Sequence, residues 1–404
     1  MAMVCAGIDW ASEEHAVCVL TDEGELLHEG TVRHDEAGLA ELCELLCGLR
    51  AERVALERPD GVLVERLLAA GLCVYALHPN QVKAARARFR TAGGKSDRFD
   101  AFVLAELART DHRRFRPLEG DGDATRALRA LTRAREELVG SRVALANQLR
   151  AELEGSWPGA AHLFDALDSP IALAFLERYP GPGDARGLGE RRLAAFLARH
   201  SYCGRRSPSA LIARLRAAPA VVLGELEAEA RRGVVLALVA TLKVLVERIR
   251  LLSSEIAGAV RSHPDGALFL SLFRDPGSTV TAARLVAEIG DRRARYPSAE
   301  ALAADAGMCP VAVESGKRKV ATFRRACDKR LRDAVVTLCD ATRHWQPWAR
   351  GVYERARARG CDHAHAIRVL GRAWLRVIWR MWQDGVPYDP ARHGAMRTLC
   401  NAGG

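Results

Sequence analysis

The sequence predicts an α/β domain built on a mixed sheet, then a coiled-coil helical region, then a mainly α-helical C-terminal domain. Three observations predict this. Short apolar runs alternate with helix-patterned stretches over the first hundred residues. An unbroken 3-4-3-4 spacing of apolar residues runs from Val235 to Ala259. From about His263 onward helical periodicity dominates, and five of the seven tryptophans fall between Trp345 and Trp382.

MVCAGID, HAVCVLT and LLHEGTVR read as three strands, with DEGE as the turn between the second and third. ELCELLCGL is helix-patterned, RVALE a short strand, GVLVERLLAAG a helix and LCVYAL a strand. PNQVKAARARF and SDRFDAFVLAELART follow as two further helices. Antiparallel strands followed by strand–helix alternation argue for a mixed sheet covered by helices, bounded here at residues 1–123.

Residues 124–262 form the second region. Leu128, Leu131, Leu138, Leu145 and Leu149 line one stripe of a long helix that Pro158 ends. Val235, Leu238, Leu242, Leu245, Ile249, Leu252, Ile256 and Ala259 make a cleaner a/d heptad seam, the pattern of a coiled coil. The seam favours an arm that joins protomers over an internal hairpin, although the spacing alone does not fix the partner. Residues 263–390 form the C-terminal domain and 391–404 a tail.

A formal net charge of +10 points to a polyanionic partner. Only six lysines contribute, so the charge is almost all arginine, which suits bidentate phosphate contacts and also follows from a GC-rich genome. The eleven cysteines are scattered, with no C-x-x-C pair and no Cys/His cluster at zinc spacing, as expected of a reduced cytoplasmic chain. The most apolar run, GVVLALVATLKVLV, is too short for a membrane span and contains Lys243.

Asp9 ends the first strand and Glu57 the fourth. If those strands are neighbours, both acids emerge at one sheet edge. Asp97 and Asp100 lie one turn apart on a helix, on a shared face. Alone, each reads as a cap, a turn residue or half of a surface pair, such as Glu57 with Arg58. Together they could hold two Mg²⁺ or Mn²⁺ ions roughly 3.5–4 Å apart, the arrangement used for in-line phosphoryl displacement. A three-stranded opening with an acid on its first strand, another on its fourth and a D-x-x-D helix is the RNase H-like layout.

GIDWAS, ALERPDG, HPNQVKAARA and KSDRFDA together resemble the N-terminal domain of the DEDD transposases of the insertion sequence 110 family, a domain similar to RuvC-type resolvases. TAARLVAEIGD, ALAADAGMCPV and the SGK segment carry the resemblance through the C-terminal half. It implies that Asp9, Glu57, Asp97 and Asp100 are catalytic metal ligands. By itself the Ser315-Gly316 pair reads as a turn. The resemblance implies that Ser315 is a catalytic nucleophile forming a covalent phosphoserine link to DNA. It further implies a non-coding bridge RNA, donor and target DNA, and a homo-dimer or homo-tetramer pairing one protomer's acids with another's serine. A cytoplasmic, nucleoid-associated bacterial enzyme is expected.

The segment from Pro310 to Arg332 has eight basic residues against two acidic. Lys317, Arg318, Lys319, Arg324, Arg325, Lys329 and Arg330 are its candidate nucleic-acid contacts. Two local patterns differ from the family: Gly277-Ser278-Thr279 replaces a G-x-G-P turn, and Ala326-Cys327-Asp328 a Gly-Asn pair. Trp374, Ile378 and Met381 share a helical face and read as core rather than a base-stacking surface. The alternatives are a RuvC-like nuclease using metal-activated water, a site-specific DNA invertase, or a non-catalytic coiled-coil nucleic-acid-binding protein.

Overall fold

The computed structural model describes residues 3–89, 96–275, 277–315 and 318–392, excluding the side chains of 313–319 and 392. The chain divides into two compact units, Met1–Asp121 and Gly122–Gly404.

The first unit holds a five-stranded sheet in the order β3-β2-β1-β4-β5. Its strands are β1 Val4–Asp9, β2 Glu14–Thr21, β3 Leu26–Arg33, β4 Ala51–Leu56 and β5 Val74–Ala76. β1, β2 and β3 pair antiparallel, whereas β4 runs parallel to β1 and β5 parallel to β4. This mixed sheet is compatible with an RNase H-like domain. Four helices cover it: α1 Glu36–Gly48, α2 Val62–Ala69, α3 Pro79–Phe89 and α4 Asp97–Thr110.

Period-two alternation sorts the strand residues onto two different faces. Ile8, Val17, Val19, Val54 and Leu56 pack with Leu42 and Leu46 of α1 and Leu63 and Leu67 of α2. The opposite face carries small residues at its centre, Cys5, Ala16, Cys18 and Ala55, with Leu20 and Tyr75 beside them. Phe99, Ala101, Val103, Leu104 and Ala105 of α4 close over them. Where Ala101 and Ala105 meet Gly7, Ala16 and Cys18, small side chains let the helix lie close to the sheet.

The second unit is mostly helical: α5 Asp123–Ser156, α6 Pro158–Ala161, α7 Pro170–Arg178, α8 Glu190–Arg199, α9 Pro208–Ala217, α10 Glu225–Ser262, α11 Gly266–Leu270, α12 Thr279–Ile289, α13 Ala299–Asp305, α14 Lys329–Trp345, α15 Pro347–Ala358 and α16 His363–Asp384. The two long helices, α5 and α10, pack against one another within the chain. Val235, Leu238 and Leu242 meet Leu149 and Leu153 in a core that includes Trp157, Phe175 and Phe196. Farther along, Ile256 and Val260 share a second core with Leu128 and with Trp348, Trp374, Ile378, Met381 and Trp382. Much of the heptad seam is thus buried inside one chain. Val143 of α5 and Val234, Val244 and Leu251 of α10 stay exposed outside it.

Glu288 and Asp291, from the motif TAARLVAEIGD, are tied to α5. Arg133 donates to both oxygens of the buried Glu288 carboxylate, at 3.0 and 2.7 Å. Asp291 accepts from the backbone N–H of Gly122 at 2.8 Å and the hydroxyl of Thr125 at 2.7 Å.

The basic segment contains two strands that helical periodicity did not suggest. β6 Val311–Ser315 and β7 Arg318–Thr322 pair antiparallel. VAVES and RKVAT place β-branched residues at alternate positions, and so short a run lacks the length to nucleate a helix. Among the described residues no helix is long and apolar enough to cross a membrane.

Candidate active site

The parallel register of β1 and β4 sets the first two acids side by side. Ile8 lies opposite Leu56, so the next residues, Asp9 and Glu57, stand together where the two strands end. Alternation puts Gly7 and Asp9, and likewise Ala55 and Glu57, toward the face that α4 covers. Ser96 caps α4, its hydroxyl accepting from the Phe99 N–H at 3.3 Å, so Asp97 and Asp100 fall in the first turn. There the helix dipole favours carboxylates.

Arg86, from α3, joins two of the four acids. Its Nη2 donates to Asp100 Oδ2 at 2.7 Å, and its Nε lies 2.6 Å from Asp100 Oδ1. The same Nη2 stands 3.7 Å from Glu57 Oε1. Asp100 is almost wholly buried, whereas Asp97 is exposed one turn earlier and Asp9 half-buried. Glu57 and Asp100 therefore share one guanidinium, Asp9 adjoins them through strand register, and Asp97 faces solvent. Among the described residues, no three or more His, Cys, Asp or Glu side chains converge as metal ligands. Carboxylates drawn together without a cation repel, and here Arg86 supplies the positive charge.

The donor set nonetheless suits a hard divalent cation. All four candidates offer carboxylate oxygens. Asp100 Oδ1 and Arg86 Nε are both buried and, despite their closeness, lack hydrogen-bond geometry.

Behind Asp9 the chain is pinned by a cluster absent from the sequence-based candidates. His15 is fully buried; its Nδ1 accepts from the Ala11 N–H at 3.3 Å and its Nε2 lies 2.8 Å from His34 Nδ1. Burial, reinforced by His34, lowers the His15 pKa to about 4, so the ring stays neutral. Trp10 sits 6.3 Å from both imidazoles, and the Arg58 guanidinium lies over its indole at 4.1 Å. Arg58 therefore stacks on Trp10 instead of pairing with Glu57, whose partner is Arg86. These roles depend on contacts between strands, and only the adjacency of Trp10 to Asp9 and of Arg58 to Glu57 hinted at them.

In the second unit Ser315 ends β6, its backbone opposite Arg318 of β7, with Glu314 opposite Lys319. The side chains of Ser315, Arg318 and Lys319 lie outside the described residues, as do Gly316 and Lys317. Arg325 and Lys329 are exposed. Arg330 is paired with Glu137 at 3.2 Å and Glu136 at 3.6 Å, so acids of α5 already balance its charge. Asp328 caps α14, accepting from the N–H groups of Arg330 and Leu331 at 2.9 and 3.0 Å. Asp is among the residues favoured at such a capping position.

Two family models match the chain. Residues 6–158 match the DEDD transposase model of the IS110 type, described as transposase, and residues 276–354 match the transposase IS116/IS110/IS902 family. Among curated proteins, the mini-circle transposase for IS117 of Streptomyces coelicolor is 33% identical over 96% of both chains. The insertion element IS900 protein of Mycobacterium paratuberculosis is 30% identical over 96% of this chain and 98% of its own. The insertion element IS116 protein of Streptomyces clavuligerus is 29% identical over 96% of both. The chain belongs to the IS110 family of insertion-sequence transposases, and is a DNA transposase.

Proposed function

We propose that this transposase cuts and rejoins DNA strands through a phosphoserine intermediate on Ser315, with Mg²⁺ or Mn²⁺ held by Asp9, Glu57, Asp97 and Asp100 of an RNase H-like domain. The observation that supports this reading most is the meeting of Glu57 and Asp100 on Arg86, next to Asp9 at the same sheet edge. When bound, the metal supplies positive charge against the phosphate oxygens, where charge builds in the transition state. Asp100, buried and fixed in the first turn of α4, gives the site its rigid member. Ser315 Oγ forms a bond to the scissile phosphorus while the P–O bond to one sugar oxygen breaks, and that oxygen leaves as a hydroxyl. A hydroxyl of a second DNA end then attacks the phosphoserine phosphorus and frees the serine. Each step exchanges one phosphoester for another, so joining needs no ATP.

A non-coding bridge RNA selects donor and target DNA in this reading, and the basic charge suits both polyanions. A homo-dimer or homo-tetramer brings acids and serine from different protomers together. The exposed Val234, Val244 and Leu251 of α10 support a coiled-coil contact between protomers. The enzyme works in the cytoplasm, on the nucleoid.

The test is strand joining. The protein, its co-purified RNA and donor and target plasmids are incubated with Mg²⁺, and recombinant junctions are amplified. Wild type yields junctions, whereas Asp100→Asn and Ser315→Ala yield none. Cleaved ends without junctions, unchanged by Ser315→Ala, would instead identify a RuvC-like nuclease.

A further inference from the structure

Two arginines of the second unit lie over one exposed aromatic ring, and Arg324 and Arg372 are their neighbours along the chain or the same helix face. Phe323, directly after β7, is 44% exposed. The guanidinium of Arg332, from α14, lies over its ring at 4.6 Å, and that of Arg368, from α16, at 4.9 Å. Arg332 also donates to the carbonyl oxygen of Arg324 at 2.6 Å. Arg372 follows Arg368 by one turn on α16, on the same face.

Among the described residues, none of Arg324, Arg332, Arg368 and Arg372 forms an ion pair, and the buried Nε atoms of Arg324, Arg332 and Arg372 have no hydrogen-bond partner. Several other guanidiniums of the unit are matched: Arg133 with Glu288, Arg293 with Asp265, Arg343 with Asp340 and Arg376 with Glu300.

A scaffold role accounts for part of this arrangement. Arg332 fastens the turn after β7 to α14, and Gly307 makes room for it, since a Cβ there would meet Arg332 Nη2 at 2.3 Å. Scaffolding does not explain Arg368 and Arg372, which add unneutralised charge where repulsion opposes it. The ring's negative face holds guanidiniums in place but leaves their donors unsatisfied. With two cations over it, Phe323 orders charge rather than stacking a base.

We propose that Phe323, Arg332, Arg368 and Arg372 form a platform that binds backbone phosphates of the DNA strand. β7 is continuous with this platform and begins opposite Ser315. Five residues of strand separate Phe323 from Arg318, about 16 Å. At roughly 3.4 Å per nucleotide along one strand, the platform grips phosphates about five nucleotides from the attacked bond. This register rests on the nucleophilic role proposed for Ser315, and it makes DNA, rather than RNA, the ligand.

The experiment measures binding of full-length protein with its co-purified RNA to labelled duplex DNA, from about 50 to 300 mM salt. Arg368→Gln and Arg372→Gln are each expected to reduce the slope of log Kobs against log salt by about 0.9, the loss of one phosphate contact. Arg376→Gln, which removes a cation already paired with Glu300, leaves the slope unchanged. Phe323→Leu weakens binding severalfold while thermal melting shows a folded chain. Unchanged slopes in both Arg368→Gln and Arg372→Gln, in folded protein, would overturn the proposal. So would a slope change seen with the free RNA as probe and not with DNA. Either result leaves adduct formation at Ser315 untouched, whereas a wild type that binds no DNA would overturn the proposed function itself.

Discussion

A Cβ atom on Gly7 would lie 2.1 Å from the carbonyl oxygen of Ala101 and 2.2 Å from the N–H nitrogen of Ala105. The backbone of α4 thus rests directly on β1, two residues before Asp9. That contact carries the first turn of α4, with Asp100, to the sheet edge where Asp9 and Glu57 end their strands. Gly7→Ala has no flexible neighbour to displace, so α4 must shift. Overpacking of this kind costs about 1–3 kcal/mol. Denaturant unfolding should show that loss, and strand joining should fall further than stability alone explains, because the acids separate.

Arg86 is the resident counter-ion of Glu57 and Asp100, and under the proposed function a divalent cation replaces it. Arg86→Gln is expected to tighten apparent Mn²⁺ binding by about tenfold, as removal of a competitor that holds most of the population closed would. Without metal the same variant leaves Asp100 buried and uncompensated, which costs about 3–5 kcal/mol. Calorimetric titration and melting with and without Mn²⁺ read both effects. Unchanged metal affinity in folded Arg86→Gln would contradict them.

The buried His15 makes the β1–β2 turn sensitive to acid. Its folded pKa of about 4 lies below the ordinary 6.5, so the unfolded chain takes up this proton first. Stability from the neutral ring is complete above about pH 6.5 and is lost as pH falls toward 4. The full loss is on the order of 3 kcal/mol. His15→Gln should flatten the slope of unfolding free energy between pH 6.5 and 4, measured by urea titration at each pH. An unaltered slope would exclude His15 as its source.

Glu288 is the buried half of an ion pair with Arg133, joining α12 to α5. Glu288→Ala should destabilise the chain by about 1–3 kcal/mol, since it removes two charge-assisted hydrogen bonds that join α12 to α5. A double substitution with Arg133→Met should recover much of that loss. Equal destabilisation of single and double variants would show that the pair is not the cause.

How far the sequence alone led depended on where each signal was written. Apolar alternation in MVCAGID, HAVCVLT and RVALE marked the strands, and an acid at the end of two of them marked the sheet edge. Gly7 carried no local signal, because its role is to be small opposite Ala101, nearly a hundred residues away. Arg86, one arginine among many, became distinctive only through its contact with Asp100. The seam from Val235 to Ala259 announced a helix partner and favoured one in another protomer, whereas α5 of the same chain covers much of it, because an a/d pattern records burial and not the partner's identity. β6 and β7 are short and sit among charges, so their pairing left only alternate β-branched residues as a trace. The arginines around Phe323 come from three separate segments, which no linear pattern joins.

The central claim is the covalent step at Ser315. Labelled donor DNA, with protein, co-purified RNA and Mg²⁺, is denatured after reaction and examined for label travelling with the protein. The account predicts an adduct in wild type that is absent from Ser315→Ala and from Asp97→Asn. Cleavage with no adduct in wild type, at the same rate in Ser315→Ala, would contradict it and leave a metal-dependent nuclease in its place.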